Sequence, residues 1–179
     1  MNLNAGLLGG GSWGTTVAAL IARNTPVTMW ARDEATVNEI NTKHSNAKYL
    51  PNAVLPKDVR ATTDIEEAVA GMDVIVMGIP SQSFRGVLEQ IKPHIRPWVP
   101  VISLSKGLEL SSRKRMTELV NEVLPGHPAG VLTGPNLARE IMSGYAAASV
   151  IAMEDEVIVK ELQKLFHSGL FRVYTNHDV

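Results

Sequence analysis

The run Gly9-Gly10-Gly11-Ser12-Trp13-Gly14 is where this sequence speaks most directly of chemistry. In a G-x-G-x-x-G run the first glycine permits a tight turn, the second lets a diphosphate approach the backbone, and the third lets helix and strand pack closely. Here the run follows the apolar stretch Leu3 to Leu8 and precedes a helix-forming stretch from Thr15 to Ala22. Backbone N–H groups at such a helix start face anionic ligands. The bland alternative is a glycine turn that only needs positive φ. The strand–turn–helix setting favours dinucleotide binding, with Gly9, Gly11 and Gly14 as the candidate contacts. Gly6, inside the strand, departs from the branched apolar residue usual there.

Other candidates lie at the ends of further apolar runs. Trp30-Ala31-Arg32-Asp33 puts a guanidinium where a dinucleotide fold commonly carries an acidic ribose ligand. Arg32 can pair bidentately with a 2′-phosphate or stack on adenine, so NADP fits better than NAD. The alternatives are a solvated Arg beside a capping Asp33, or Asp33 holding a ribose hydroxyl. Pro80-Ser81-Gln82-Ser83 and Ser103-Leu104-Ser105-Lys106-Gly107 are polar loops at comparable places. Lys106 can meet an anionic ligand or stand as a surface Lys. Thr133-Gly134-Pro135-Asn136 either presents free N–H groups or is a turn capped by Asn136. Trp13 and Trp30 can wall a base or simply pack, and Arg113-Lys114-Arg115 reads as a solvated helix face. No G-x-S-x-G elbow supports serine hydrolase chemistry.

These residues need elements to hold them. Short apolar runs alternate with longer amphipathic ones, the pattern of βαβ units and a largely parallel sheet. Strands are expected over Leu3 to Leu8, Val27 to Ala31, Asp73 to Ile79, Val99 to Ser105, Gly130 to Thr133, Ala147 to Met153 and Phe171 to Tyr174, with Arg60 to Thr62 as an edge strand. Helices are expected over Ser12 to Arg23, Glu34 to Thr42, Ile65 to Ala70, Phe84 to Ile91, Arg113 to Val123, Asn136 to Met142 and Asp155 to Phe166. Asp64 with Glu66 and Glu67 supplies a cap and first-turn carboxylates, and Ser111 and Ser112 are read as doing the same before Met116. Lys43 to Val59, with Pro51 and Pro56, has no period and reads as a long loop of the kind that is usually functional or disordered. The fold class that follows is a doubly wound α/β, Rossmann-like sheet with helices on both faces, and residues 1–179 form one dinucleotide-binding domain.

Composition sets the exclusions. The 17 Lys and Arg against 18 Asp and Glu leave a net charge of -1, which argues against a nucleic-acid partner. Without any Cys there is no disulfide, thiolate catalysis or Cys-bound zinc, and the 5 His are scattered, so no metal site is expected. No apolar run approaches the roughly 18 to 20 residues that span a bilayer. The first basic residue is Arg23, so a secretory head is missing and a cytoplasmic location with no membrane partner is expected.

Taken with Gly9 to Thr15, Trp30-Ala31-Arg32, Tyr49-Leu50-Pro51, Pro80-Ser81-Gln82, Ser103 to Gly107, Gly134 to Glu140 and Phe171 to Asn176, the chain resembles the bacterial NAD(P)-dependent glycerol-3-phosphate dehydrogenases. The order and spacing of these motifs match along the whole chain. The resemblance implies hydride transfer between NAD(P)H and dihydroxyacetone phosphate, a small phosphorylated substrate, giving sn-glycerol 3-phosphate for phospholipid synthesis. It implies that Ser12, Trp13, Arg32, Tyr49, Lys106 and Ala138 contact the NADP or NAD cofactor, and that Lys106, Gly134 and Asn136 meet the substrate. Many bacterial members carry Ser or Thr where this chain has Asn136. The family's proton-transferring Lys and phosphate clamp lie in a helical domain entered just after a Tyr-Thr-Asn run, so no catalytic residue is expected within this chain and that C-terminal domain is expected as its missing partner. Without it, apolar surface near Val150 to Phe171 would favour a homo-oligomer. The weighed alternatives are a related dehydrogenase, such as a ketopantoate reductase or 6-phosphogluconate dehydrogenase, and a nucleotide-binding regulatory module without turnover.

Overall fold

Strands and helices alternate from one end of the chain to the other in the computed structural model, which describes residues 3–179. The order is β1 (Ala5–Leu8), α1 (Ser12–Ile21), β2 (Val27–Trp30), α2 (Glu34–Lys43), β3 (Val59–Thr62), α3 (Ile65–Val69), β4 (Val74–Met77) and α4 (Ser81–Ile91). It continues with β5 (Val101–Ser103), α5 (Met116–Val123), β6 (Ala129–Thr133), α6 (Ala138–Met142), β7 (Ala147–Met153), α7 (Glu156–Phe166) and β8 (Phe171–Asn176). The strands form one 8-stranded sheet in the order β3-β2-β1-β4-β5-β6-β7-β8. Every neighbouring pair is parallel except β6 and β7. The order reverses between β1 and β4, the switch point where doubly wound sheets bind their ligands.

Both faces of the sheet are covered, which is why the central strands read as unbroken apolar runs: all of Val74 to Met77 is buried. Leu7, Met29 and Val76 pack with Val17, Leu20 and Ile21 of α1 and with Leu162 and Phe166 of α7. Leu8, Ile75 and Met77 pack on the other face with Phe84, Leu88 and Ile91 of α4 and with Leu119 and Val120 of α5. Gly6 has its reason here, since a Cβ at that position would lie 2.2 Å from the Ala68 carbonyl oxygen, so α3 abuts the strand backbone. Among the described residues, no helix is long and apolar enough to cross a membrane.

The structure corrects several local expectations. Helix α4 begins at Ser81, three residues before the expected Phe84, with Pro80 as its extended N-cap residue. Helix α5 begins at Met116, because Arg113 sits in the left-handed region at φ 59 and breaks the run. Arg113-Lys114-Arg115 is therefore an irregular lead-in and not a helix face; Lys114 pairs with Glu122 at 2.6 Å. Ser112 does not cap α5; its hydroxyl donates to Glu109, and Glu118 Oε2 instead accepts the Arg115 N–H at 2.8 Å. The Asp64 cap is as expected, accepting from the Glu66 N–H at 2.9 Å. The stretch from Lys43 to Val59 is irregular but ordered inward, with Leu50 and Leu55 buried.

Candidate cofactor cleft

The glycine turn is built from contacts that leave no room for side chains. Gly9 has φ +122, and a Cβ there would lie 2.3 Å from the Gly78 carbonyl oxygen, so the ends of β1 and β4 touch backbone to backbone. A Cβ on Gly14 would lie 2.1 Å from the Gly9 carbonyl oxygen, which seats α1 on the turn. Gly11 differs: its φ is an ordinary -76, and a Cβ there would meet nothing within 4 Å. The first helical bond runs from the Thr15 N–H to the Gly11 carbonyl at 2.9 Å. The N–H groups of Ser12, Trp13 and Gly14 therefore precede the helical ladder and remain available to a ligand.

Beside the turn lies a cleft of about 700 Å³, bounded by Gly9–Gly11, by Gly78–Pro80 at the end of β4, by Arg32 and Asp33, and by Lys48 and Tyr49. Arg32 is exposed at its rim. Asp33 accepts a hydrogen bond from the Thr36 hydroxyl at 2.7 Å and lies 3.8 Å from Lys48 Nζ. The Thr36 hydroxyl, with backbone N–H groups and Lys48 behind it, holds the Asp33 carboxyl below its usual range. Lys48 also lies 5.4 Å from the Tyr49 ring centre. Glu39 ties down this side by accepting from the Ser45 hydroxyl at 2.7 Å and the Ala47 N–H at 2.8 Å, and those bonds lower its pKa.

The loop after β5 is clamped from α4. Gln82 donates to the Leu108 carbonyl at 2.8 Å and accepts from the Leu110 N–H at 3.0 Å. Arg85 grips Glu109 through two bonds of 2.8 and 2.9 Å and reaches Glu122 at 2.9 Å. The Arg85 guanidinium, then the Ser112 hydroxyl, holds the Glu109 carboxyl down to about 2. Arg85 and then Lys114 hold Glu122 at about 2 as well, and both carboxylates raise Arg85. The Ser105 hydroxyl donates to the Ile79 carbonyl, joining this loop to the cleft wall. Lys106 stands exposed within the clamped loop.

A second cavity, of about 310 Å³, lies between Thr133–Leu137 and the start of β7, with Tyr174 at its side. Asn136 is not a cap: α6 starts at Ala138, and Asn136 Nδ2 donates to Ser149 Oγ at 2.5 Å. A Cβ on Gly134 would lie 2.6 Å from Asn136 Nδ2 and 2.9 Å from the Ala148 carbonyl oxygen.

Gly9, Gly11, Arg32 and Tyr49 thus share one cleft, while Gly134 and Asn136 share the other. Ser12 and Gly14 sit at the start of α1 behind the turn, and Trp13 is half-buried against the apolar core. Lys106 and Ala138 line neither cavity. Because β1, β2, β4, β5 and β6 run in one direction, Gly9, Arg32, Pro80, Lys106 and Gly134 all follow strand ends at the same edge of the sheet. Sequence reasoning missed Lys48 and Gly78. Lys48 could have been noticed as a basic residue beside the Tyr49 motif, whereas Gly78 was hidden inside an apolar run.

Residues 4–159 match the family described as the NAD-dependent glycerol-3-phosphate dehydrogenase N-terminus. The chain is 68% identical over its full length to a glycerol-3-phosphate dehydrogenase [NAD(P)+] of Sphingopyxis alaskensis, covering 54% of that protein. It is 55% identical over 97% of its length to one from Mycobacterium avium, covering 51% of it. Among solved structures, the glycerol-3-phosphate dehydrogenase of Coxiella burnetii superimposes with a TM-score of 0.92 at 32% identity, over 99% of this chain and 55% of that one. The chain spans about half the length of the relatives it matches. A match that runs from the first strand into the last helix, with the glycine cleft inside it, means that the chain belongs to the NAD-dependent glycerol-3-phosphate dehydrogenase family and corresponds to its amino-terminal part.

Proposed function

We propose that residues 1–179 form the dinucleotide-binding domain of an oxidoreductase that transfers a hydride between NAD(P)H and dihydroxyacetone phosphate, yielding the phospholipid precursor sn-glycerol 3-phosphate in the cytoplasm. The observation that carries this reading is the cleft at the β1/β4 switch point, where an open Gly11 and the start of α1 lie beside the cations Arg32 and Lys48. A dinucleotide fits that arrangement: backbone N–H groups receive the diphosphate, and the cations receive the adenosine end. The bound nicotinamide would supply the hydride. Gly9, Gly11, Ser12 and Gly14 would hold the diphosphate, Arg32 the adenosine end, and Trp13 and Lys106 the nicotinamide side, while Tyr49 would close over the cofactor and Ala138 would touch it. Lys106, Gly134 and Asn136 would border the substrate, in the direction of the second cavity. Arg32 favours NADP over NAD, since Asp33 is engaged by Thr36 and Lys48 and does not stand alone as a ribose ligand.

The proton donor and the clamp for the substrate phosphate are assigned to the half of the longer relatives that this chain does not span. Positioning and general acid catalysis are then both missing, and proton transfer alone contributes about 10²- to 10⁴-fold. The 179-residue chain is expected to bind NADPH without reducing dihydroxyacetone phosphate. Cofactor fluorescence reads the binding, and NADPH oxidation in the presence of dihydroxyacetone phosphate reads the turnover. Robust turnover would overturn the division of labour, and failure of the folded chain to bind any nicotinamide dinucleotide would overturn the cofactor assignment.

A further inference from the structure

We infer that Asn46 is a positioning residue for the dinucleotide: its buried side chain fixes the peptide plane that aims the Gly11 N–H into the cleft. The inference rests on the cofactor reading above and assigns a role to a residue that touches no ligand. Asn46 is fully buried beneath the glycine turn, in the irregular stretch that follows α2. Its Nδ2 donates to the Gly10 carbonyl at 3.0 Å and to the Thr15 hydroxyl oxygen at 2.9 Å. In a planar trans peptide the carbonyl and the following N–H point in opposite directions. Holding the Gly10 oxygen inward therefore turns the Gly11 N–H outward, on the residue that lines the cleft and has open space around it. A glycine pair is the most freely rotating peptide in a chain, so without such a tie the turn samples orientations that waste this donor.

The cost side of the same residue supports the assignment. Asn46 Oδ1 is buried and has no hydrogen-bond partner among the described residues. An unpaired buried amide oxygen is expensive, and an apolar side chain of equal size would avoid that cost. The amide is thus explained by what Nδ2 holds and not by packing. The neighbouring segment does not depend on the side chain: Glu39 binds Ser45 and Ala47, the Asn46 backbone carbonyl accepts from the Tyr49 and Leu50 N–H groups at 3.1 and 2.8 Å, and Leu50 is buried. Removing the amide should therefore disturb the diphosphate end while leaving Lys48 and Tyr49 where they are.

The test uses Asn46→Ala and the volume-preserving Asn46→Leu in the 179-residue chain. Thermal melting checks folding, fluorescence titration measures NADPH, and calorimetry measures adenosine 2′-phosphate, which has no diphosphate. The expected result is folded variants whose NADPH affinity falls about tenfold, the effect of one impaired charge-assisted hydrogen bond, with adenosine 2′-phosphate affinity changed less than about twofold. Unchanged NADPH affinity in a folded variant, or equal losses for both ligands, would overturn the role of Asn46 while leaving the cofactor reading intact. Failure of both variants to fold would overturn it too, by showing that Asn46 serves the fold itself. A native chain that folds but binds no dinucleotide would bring down the cofactor reading and this inference with it.

Discussion

Replacing Gly11 with Ala separates the needs of the fold from those of the ligand. At Gly9 and Gly14 an added Cβ would meet backbone oxygens at 2.3 and 2.1 Å, so substitution there damages the turn before any ligand arrives. At Gly11 it would meet nothing within 4 Å, and φ of -76 suits any residue. Gly11 is the N-cap of α1 with no side-chain cap to lose. Ala is a poorer N-cap than Gly by about 0.5 to 1 kcal/mol. Against this, Gly→Ala at a compatible φ stabilises by about 0.4 to 1 kcal/mol through the unfolded chain. The two nearly cancel, and the melting temperature should move by no more than about 2 °C, given about 2 to 4 °C per kcal/mol for a chain of this size. For the ligand the same methyl group stands where the diphosphate would approach. Losing one charge-assisted N–H bond to phosphate is worth about 1.5 to 3 kcal/mol, or a roughly 10- to 100-fold weaker NADPH affinity. Thermal melting and NADPH fluorescence titration on one preparation read both halves. A folded Gly11→Ala variant with native affinity would show that the diphosphate does not pass over Gly11. A variant that unfolds would show that the open space around Gly11 was misjudged.

Two further outcomes are expected. Arg32→Ala should weaken NADPH binding about tenfold while leaving NADH within about twofold if the guanidinium pairs with the 2′-phosphate as proposed; calorimetric titration with both cofactors checks this, and an unchanged affinity ratio would remove Arg32 from cofactor selection. Glu109 has a folded pKa of about 2, held below its ordinary 4.5 chiefly by Arg85. A depressed carboxyl pKa contributes stability that is present above about 4.5 and is lost as pH falls toward about 2. Urea midpoints followed down that range should drop for the native chain and drop less for Glu109→Gln, whose starting midpoint is already lower. Parallel acid limbs for the two proteins would show that the Arg85–Glu109 pair does not set acid stability.

Much of this was legible because the elements obey simple periods. Short apolar runs such as Val74 to Met77, flanked by turn residues, read as strands buried on both faces, and the Asp64 cap marked a helix start correctly. The failures are physical and local. Nothing in the tripeptide Arg113-Lys114-Arg115 shows that its first residue turns left-handed; that is fixed by Glu109, whose backbone accepts from the Arg113 N–H at 2.7 Å and whose side chain is held by Arg85. The reversal of β7 against β6 had no local signal: α3 is as short as α6, five residues each, and yet is followed by a strand that keeps the common direction. That Gly9, Gly11 and Arg32 line one cleft could be read from local sequence, because the glycine spacing and the strand end announce them. Lys48 and Asn46 lie in a stretch without period and gain their positions only from tertiary contacts, through Glu39 and through the turn itself.

The two cavities at this sheet edge are made by different means, and that difference bears on which end of a dinucleotide the isolated chain can grip. At Gly9 and Gly14 the glycine turn is backbone against backbone, at spacings that exclude even a methyl group, and the Gly10 carbonyl is held by the buried Asn46 amide. A preformed wall of this kind leaves little ordering to be done on binding. The smaller cavity depends on one side-chain bond, from Asn136 to Ser149, and Lys106 rises from a loop fixed at Gln82 and Arg85 but exposed at its own position. On the proposed assignment, the groups for the diphosphate and adenosine end surround this preformed cleft. Lys106, proposed to meet nicotinamide and substrate, has its loop supports in place and its side chain in solvent, so on that reading water must be excluded from it before it can act.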